Sequence, residues 1–179
     1  MKNMTRPLLV AALLLGLVAC GGSDAPELAA GRKVDASGKE ATDIGAVPAE
    51  VLAAAHAAMP ELSISEAEYE TRDGNEYYDV GGTLPDGSEW ELDMTKVDGR
   101  WTVVEKQRDI EMDLVPERVS GALETKLPEW HPHRIIESDQ GDGVIIYEFY
   151  GKDEAGEVTK VEIKWAEGHA ELLVDEWLH

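Results

Sequence analysis

The side chains that could do chemistry in this sequence are five histidines, one cysteine and a large excess of carboxylates. His131 and His133 flank Pro132 and could chelate a metal with help from acidic neighbours. No third ligand follows at a recognisable spacing, so the plainer reading is a polar loop, and no metal site is expected. Asp139-Gln140-Gly141-Asp142-Gly143 begins like a calcium-binding loop. Its third position, Gly141, offers no side-chain oxygen, and its twelfth is Tyr150 where a bidentate Glu is needed. The stretch therefore reads as a hairpin turn. The sequence contains no Gly-x-Ser-x-Gly elbow, P-loop, dinucleotide fingerprint or His-Glu-x-x-His. Carboxylates are too many for spacing alone to single out an acid/base pair. The one cysteine, Cys20, excludes an internal disulfide. The expectation is a non-catalytic protein without a cofactor.

Charge narrows the partners. The chain carries 37 acidic and 16 basic residues, a formal net charge of -21. Such a surface repels nucleic acid and anionic lipid headgroups, and it would steer basic partners or metal cations. Acidic residues at alternating strand positions read most plainly as a solvated face that keeps the protein soluble.

The N-terminus has the organisation of a secretory signal. Lys2 and Arg6 precede an apolar stretch, Leu8 to Val18, which is too short to span a bilayer as a permanent helix. Leu17-Val18-Ala19-Cys20 resembles the bacterial lipobox. That resemblance implies a signal peptide over 1–19, cleavage before Cys20, and lipid on the Cys20 thiol and on the new amino group. Several acyl chains together make a stable membrane anchor. Gly21 follows the cysteine where an Asp would signal retention. By resemblance to Gram-negative sorting, this implies a lipid-anchored envelope protein on the outer membrane facing the periplasm. Residues 20–46 read as the lipidated cysteine and a flexible tether, rich in Gly, Ala, Ser and Asp and without apolar periodicity.

The remainder contains itself twice. Val47-Pro48-Ala49-Glu50-Val51 matches Val115-Pro116-Glu117-Arg118-Val119, and Met59-Pro60-Glu61 matches Leu127-Pro128-Glu129, both at an offset of 68 (115 − 47). Tyr78-Asp79-Val80 matches Tyr147-Glu148-Phe149 at 69 (147 − 78). Val51, Ala55 and Met59, like Val119, Leu123 and Leu127, fall on one helical face between two prolines. Period-two strands follow, punctuated by Asp98-Gly99, Asp142-Gly143 and Glu167-Gly168 turns. The expected fold is α+β: two tandem repeats, 47–114 and 115–179, each one helix packed on a roughly four-stranded antiparallel sheet.

Val-Pro, a short helix ending in Met-Pro or Leu-Pro, Tyr-Asp-Val, Asp-Gly-Ser-Glu-Trp-Glu-Leu and a closing Asp-Gly hairpin together resemble the PepSY-like domain of bacterial secreted proteins. That fold is similar to β-lactamase inhibitory protein. The resemblance covers roughly residues 47–177 and rests on core and turn positions. It implies an inhibitor-like, protein-binding role in the envelope and supplies no catalytic residues. Trp130-His131-Pro132-His133 departs from the pattern, as does Thr159 at the position of Trp90.

A binding surface is expected on the sheet face opposite the helices. Tyr77, Ile146, Tyr150, Val158 and Lys160 form the candidate patch, facing another envelope protein, with the acidic charge of the chain favouring a basic one. The alternatives are that the two repeats pack against each other there, or that Trp177 near the C-terminus covers these positions. Two further readings stay open, an enzyme with an unrecognised site and an acidic lipoprotein that handles cations. A cluster of convergent Asp and Glu oxygens would favour the last.

Overall fold

The computed structural model describes residues 32–33, 39–72 and 74–177. Each helix begins directly after a proline: α1 spans Ala49–Ala58 behind Pro48, and α2 spans Glu117–Lys126 behind Pro116. Each ends two residues before the next proline. Met59 (φ -145°, ψ 82°) and Leu127 (φ -135°, ψ 62°) leave the helical region, which the following Pro60 and Pro128 disfavour for their predecessors.

Among the described residues ten strands accompany the helices. Two short ones, β1 (Arg32–Lys33) and β2 (Glu40–Ala41), precede α1. Between the helices lie β3 (Ser63–Arg72), β4 (Asn75–Thr83), β5 (Glu89–Val97) and β6 (Arg100–Asp109). After α2 come β7 (Arg134–Asp139), β8 (Val144–Lys152), β9 (Val158–Ala166) and β10 (His169–Leu172). The turns match their sequence. Asp98-Gly99 and Glu167-Gly168 all have positive φ, between 51° and 78°, and join β5 to β6 and β9 to β10 by two-residue loops. That geometry follows the right-handed twist of the flanking strands.

All ten strands belong to one sheet, in the order β1-β9-β8-β7-β6-β5-β4-β3-β2, with β10 also paired to β9. The expectation of two repeats, each with its own roughly four-stranded sheet under one helix, is corrected here. The protein is β-rich, with one continuous antiparallel sheet and only two α-helices among the described residues. The join is the pairing of β6 with β7, in which Lys106, Gln107, Arg108 and Asp109 face Asp139, Ser138, Glu137 and Ile136. Separate sheets would have left both strands with a row of unpaired N–H and C=O groups. Apolar alternation encodes which face a strand buries and leaves its neighbour unspecified.

Both helices lie on the same face. Cross-strand partners point the same way, and the row Leu92–Lys106–Asp139–Ile145 leads from one apolar cluster to the other. The first cluster joins Val51 and Ala55 of α1 to Val80, Leu92, Met94 and Trp101. The second joins Val119 and Leu123 of α2 to Tyr147, Phe149, Val161 and Ile163. The seam between them carries its own contacts. Arg108 pairs with Glu137 at 2.7 Å and lies over the Trp90 ring, and Tyr147 donates its hydroxyl to Glu137 at 3.2 Å.

Candidate functional site on the helix-free sheet face

Among the described residues the other face of the sheet bears no helix, yet it buries charge. Asp79, Asp93, Glu105, Glu148 and Glu162 are all buried there. Their strands also carry the two apolar cores, so period-two alternation places Asp79, Asp93, Glu148 and Glu162 opposite Tyr78, Val80, Leu92 and Met94 in one half and Tyr147, Phe149, Val161 and Ile163 in the other, while a register shift in the β5–β6 pairing brings Glu105 to the face of Asp93. The reading of this face as a solvated acidic surface does not describe these five residues.

The two halves use the same frame and solve its electrostatics differently. In β4–β5, Asp79 lies opposite Asp93 and Gly81 opposite Glu91. In β8–β9, Glu148 lies opposite Glu162 and Tyr150 opposite Lys160. Each position is 69 residues on from its counterpart (148 − 79, 162 − 93, 160 − 91). The second half thus holds a basic side chain between its acids. Lys160 Nζ is 2.9 Å from Glu162, 2.9 Å from Glu176 and 3.6 Å from Glu148. Burial alone would disfavour its charged form, but these carboxylates, with Glu148 the strongest, hold it above the usual lysine range.

In the first half the lysine position is a third acid, Glu91. Asp79, Glu91 and Asp93 each bring a carboxylate oxygen within 4.8 Å of the others. Two unit charges at that separation repel by roughly 3–4 kcal/mol at an effective dielectric constant of about 20. Burial and the neighbouring acids Asp79, Glu105 and Glu91 push the Asp93 carboxyl well above its ordinary range. Burial, then Asp79, push Glu91 upward as well. Gln107 donates to Asp93 Oδ2 at 3.0 Å, while Asp93 Oδ1 is buried with no hydrogen-bond partner among the described residues. A buried acceptor left unmatched costs about 1–3 kcal/mol, more when charged.

One ammonium comes from outside the strand pair. Lys39, just before β2, forms an ion pair with Asp79. Although burial opposes its charge, Asp79, Glu91 and Asp93 raise its pKa above the lysine range. The side chain of Glu66 is also close. A Cβ on Gly81 would lie 2.6 Å from Glu66 Cγ and Oε1, so only glycine lets that carboxylate cross the strand beside Glu91.

The patch residues read from the sequence are distributed differently from the expected open surface. Ile146 is only 1% exposed. Lys160 is held by the three acids just described. Tyr150 is half-buried, donates its hydroxyl to Glu148, and lies under the Arg134 guanidinium. Tyr77, in the other half, lies under Arg72. Val158 is exposed at 43%. Trp177 crosses this region: its backbone N–H donates to Glu162, its indole N–H donates to Gln140, and Lys164 lies over its ring. Gln140 in turn donates to the buried Ser138 hydroxyl at 2.8 Å. Trp177, the cover raised by the sequence, thus packs beside Glu162, Gln140 and Lys164. Sequence reasoning passed over the convergence of Asp79, Glu91 and Asp93. The signal that could have found it is the change from Lys160 to Glu91 within otherwise matching acid pairs.

Cys20, the signal peptide and most of the tether lie outside the described residues. No helix among the described residues is long and apolar enough to cross a membrane. No protein-family profile matches the chain. No curated protein matches it either. Three solved structures resemble it in shape. One is a proposed periplasmic protein of the DUF2874 family from Bacteroides vulgatus (19% identity, 78% of this chain and 97% of that one, TM-score 0.28). The second is another proposed periplasmic protein from the same species, of unknown function (19%, 76% and 99%, TM-score 0.30). The third is a proposed calcium-regulated periplasmic protein from Bacteroides thetaiotaomicron (14%, 75% and 94%, TM-score 0.27). None of them is described as PepSY-like. At such identities and TM-scores the likenesses carry no argument about the site, which rests on this chain's own residues.

Proposed function

We propose that the protein is a non-catalytic lipoprotein of the cell envelope, PepSY-like in its sequence pattern, that binds a cationic ligand on the helix-free face of its first half. The observation that carries this reading is the contrast between the halves. Lys160 neutralises the acid pair of the second half from within the strand, whereas Glu91 adds a third negative charge to the first. Lys39 supplies one positive charge to three carboxyl groups, so their mutual repulsion is only partly offset within these four residues. A positively charged ligand supplies what the second half has built in. The envelope location rests on the signal-like N-terminus and the Leu17-Val18-Ala19-Cys20 sequence. A docking surface for another envelope protein in the second half has less support, because Ile146 is buried and Lys160 is engaged.

The test is the charge substitution Glu91→Lys, which copies the second-half arrangement. Calorimetric titrations at low ionic strength with CaCl2 and with a hexalysine peptide are expected to show binding of at least one to the mature wild-type protein. Neither is expected to bind Glu91→Lys, and its far-ultraviolet circular dichroism is expected to be unchanged. Equal binding by wild type and variant would overturn the reading.

A further inference from the structure

We infer that Asp79, Glu91 and Asp93 bind a single hard divalent cation, with Lys39 as its intramolecular competitor. This rests on the cationic-ligand reading above and names the ligand. Carboxyl oxygens without nitrogen or sulfur donors are the set chosen by calcium-like and magnesium-like ions. Oxygens within 4.8 Å of one another suit a Ca2+ ion, which bonds oxygen at about 2.3–2.6 Å and so spans up to about 5 Å between opposite ligands. Mg2+, at about 2.0–2.1 Å, requires a tighter cage.

A second observation points to a ligand independently of the clustering. Asp93 is buried, and its two oxygens are treated unequally: Oδ2 is held by Gln107, and Oδ1 has no partner among the described residues. Protein interiors rarely leave a carboxylate oxygen in that condition. The matching acid of the second half shows what the position requires, for Glu162 accepts from Lys160 and from the Trp177 backbone N–H. A metal ion bridging Asp93 to Asp79 and Glu91 provides the missing interaction. It also offsets the repulsion among the three acids that Lys39 balances only in part. Glu66, lying across Gly81, adds a further carboxylate beside Glu91 for the ion or its waters.

The same geometry sets the competition. Lys39 reaches Asp79 from the chain just ahead of β2, which pairs with β3 through Glu40–Tyr69 and Ala41–Glu68, followed by a Thr42 N–H to Ala67 O bond at 2.8 Å. A divalent ion taking the Asp79 oxygen displaces the ammonium and loosens this docking of the segment that leads back towards the N-terminus.

The experiment is calorimetry and thermal unfolding of the mature chain with CaCl2, MgCl2 and hexalysine as separate probes, on wild type, Asp93→Asn and Lys39→Met. Asn at 93 keeps an oxygen for Gln107, so its melting temperature without metal is expected to equal or exceed that of wild type. Its Ca2+ affinity is expected to fall at least tenfold. Removing the competing ammonium in Lys39→Met is expected to tighten Ca2+ binding several-fold. One-to-one Ca2+ binding with these changes supports the proposal. Unchanged Ca2+ affinity in Asp93→Asn overturns the site, and unchanged affinity in Lys39→Met overturns the competition. Binding of hexalysine without either metal overturns the divalent assignment and leaves the cationic-ligand reading standing. Binding of none of the three probes overturns both.

Discussion

At the scale of single residues, Glu148 holds opposing demands. Burial raises its pKa from the ordinary value of 4.5, and Lys160 and the Tyr150 hydroxyl offset only part of that, while Glu162 and Glu105 add to it. In the unfolded chain the group ionises near 4.5; in the folded chain it holds its proton to higher pH. Between those values the native state binds more protons, so this group's contribution to stability falls as pH rises. Glu148→Gln keeps the shape and removes the ionisation. Its stability relative to wild type is expected to be lowest below pH 4.5 and to rise towards neutral pH, read from urea midpoints at a series of pH values. A constant difference across that range would contradict the burial argument. Asp93 is the sharper version of the same conflict, because it sits among further acids and lacks a built-in lysine.

At the scale of elements, the seam between β6 and β7 decides whether the halves act together. Arg108 stands directly opposite Glu137, bonds it through Nε at 2.8 Å, and covers Trp90 on β5. Tyr147 of β8 donates to the same Glu137. One guanidinium thus ties four neighbouring strands. Arg108→Ala leaves Glu137 half-buried with a single hydroxyl partner, and a charge-assisted bond of this kind is worth about 1.5–3 kcal/mol. The unfolding midpoint is expected to drop accordingly, and the two tryptophan-rich halves are expected to unfold less cooperatively, as tested by comparing fluorescence and circular dichroism transitions. Coincident transitions at the wild-type midpoint would show that the backbone ladder alone makes the join.

At the scale of the whole molecule, the acidic balance and the N-terminus belong to one account. A surface of net charge -21 is repelled by anionic lipid headgroups, so covalent lipid is what would hold the protein to a bilayer. Radiolabelled palmitate is expected to enter the wild-type protein and not Cys20→Ser, and the variant is expected to move to the soluble fraction. Equal labelling would reject the anchor.

Helix limits and turn types were legible in the sequence because their causes are local. Pro48, Pro60, Pro116 and Pro128 bracket two ten-residue helices by removing an N–H or restricting the preceding residue, and Asp98-Gly99 and Glu167-Gly168 tolerate the positive φ of a tight hairpin. Alternation along β4 and β8 likewise marked Tyr78, Val80, Tyr147 and Phe149 as one face. The β6–β7 pairing was not legible, since no local pattern records which distant edge a strand will meet. Nor was the burial of Asp79 and Asp93: alternation placed them on the second face, and only the surrounding strands decided that water would be kept from them. The candidate site was half written in the chain, as Glu91 at the position of Lys160. Lys39 lies 40 residues before Asp79 (79 − 39), and only the folded chain brings it there, because long-range charge pairing is set by where the backbone runs.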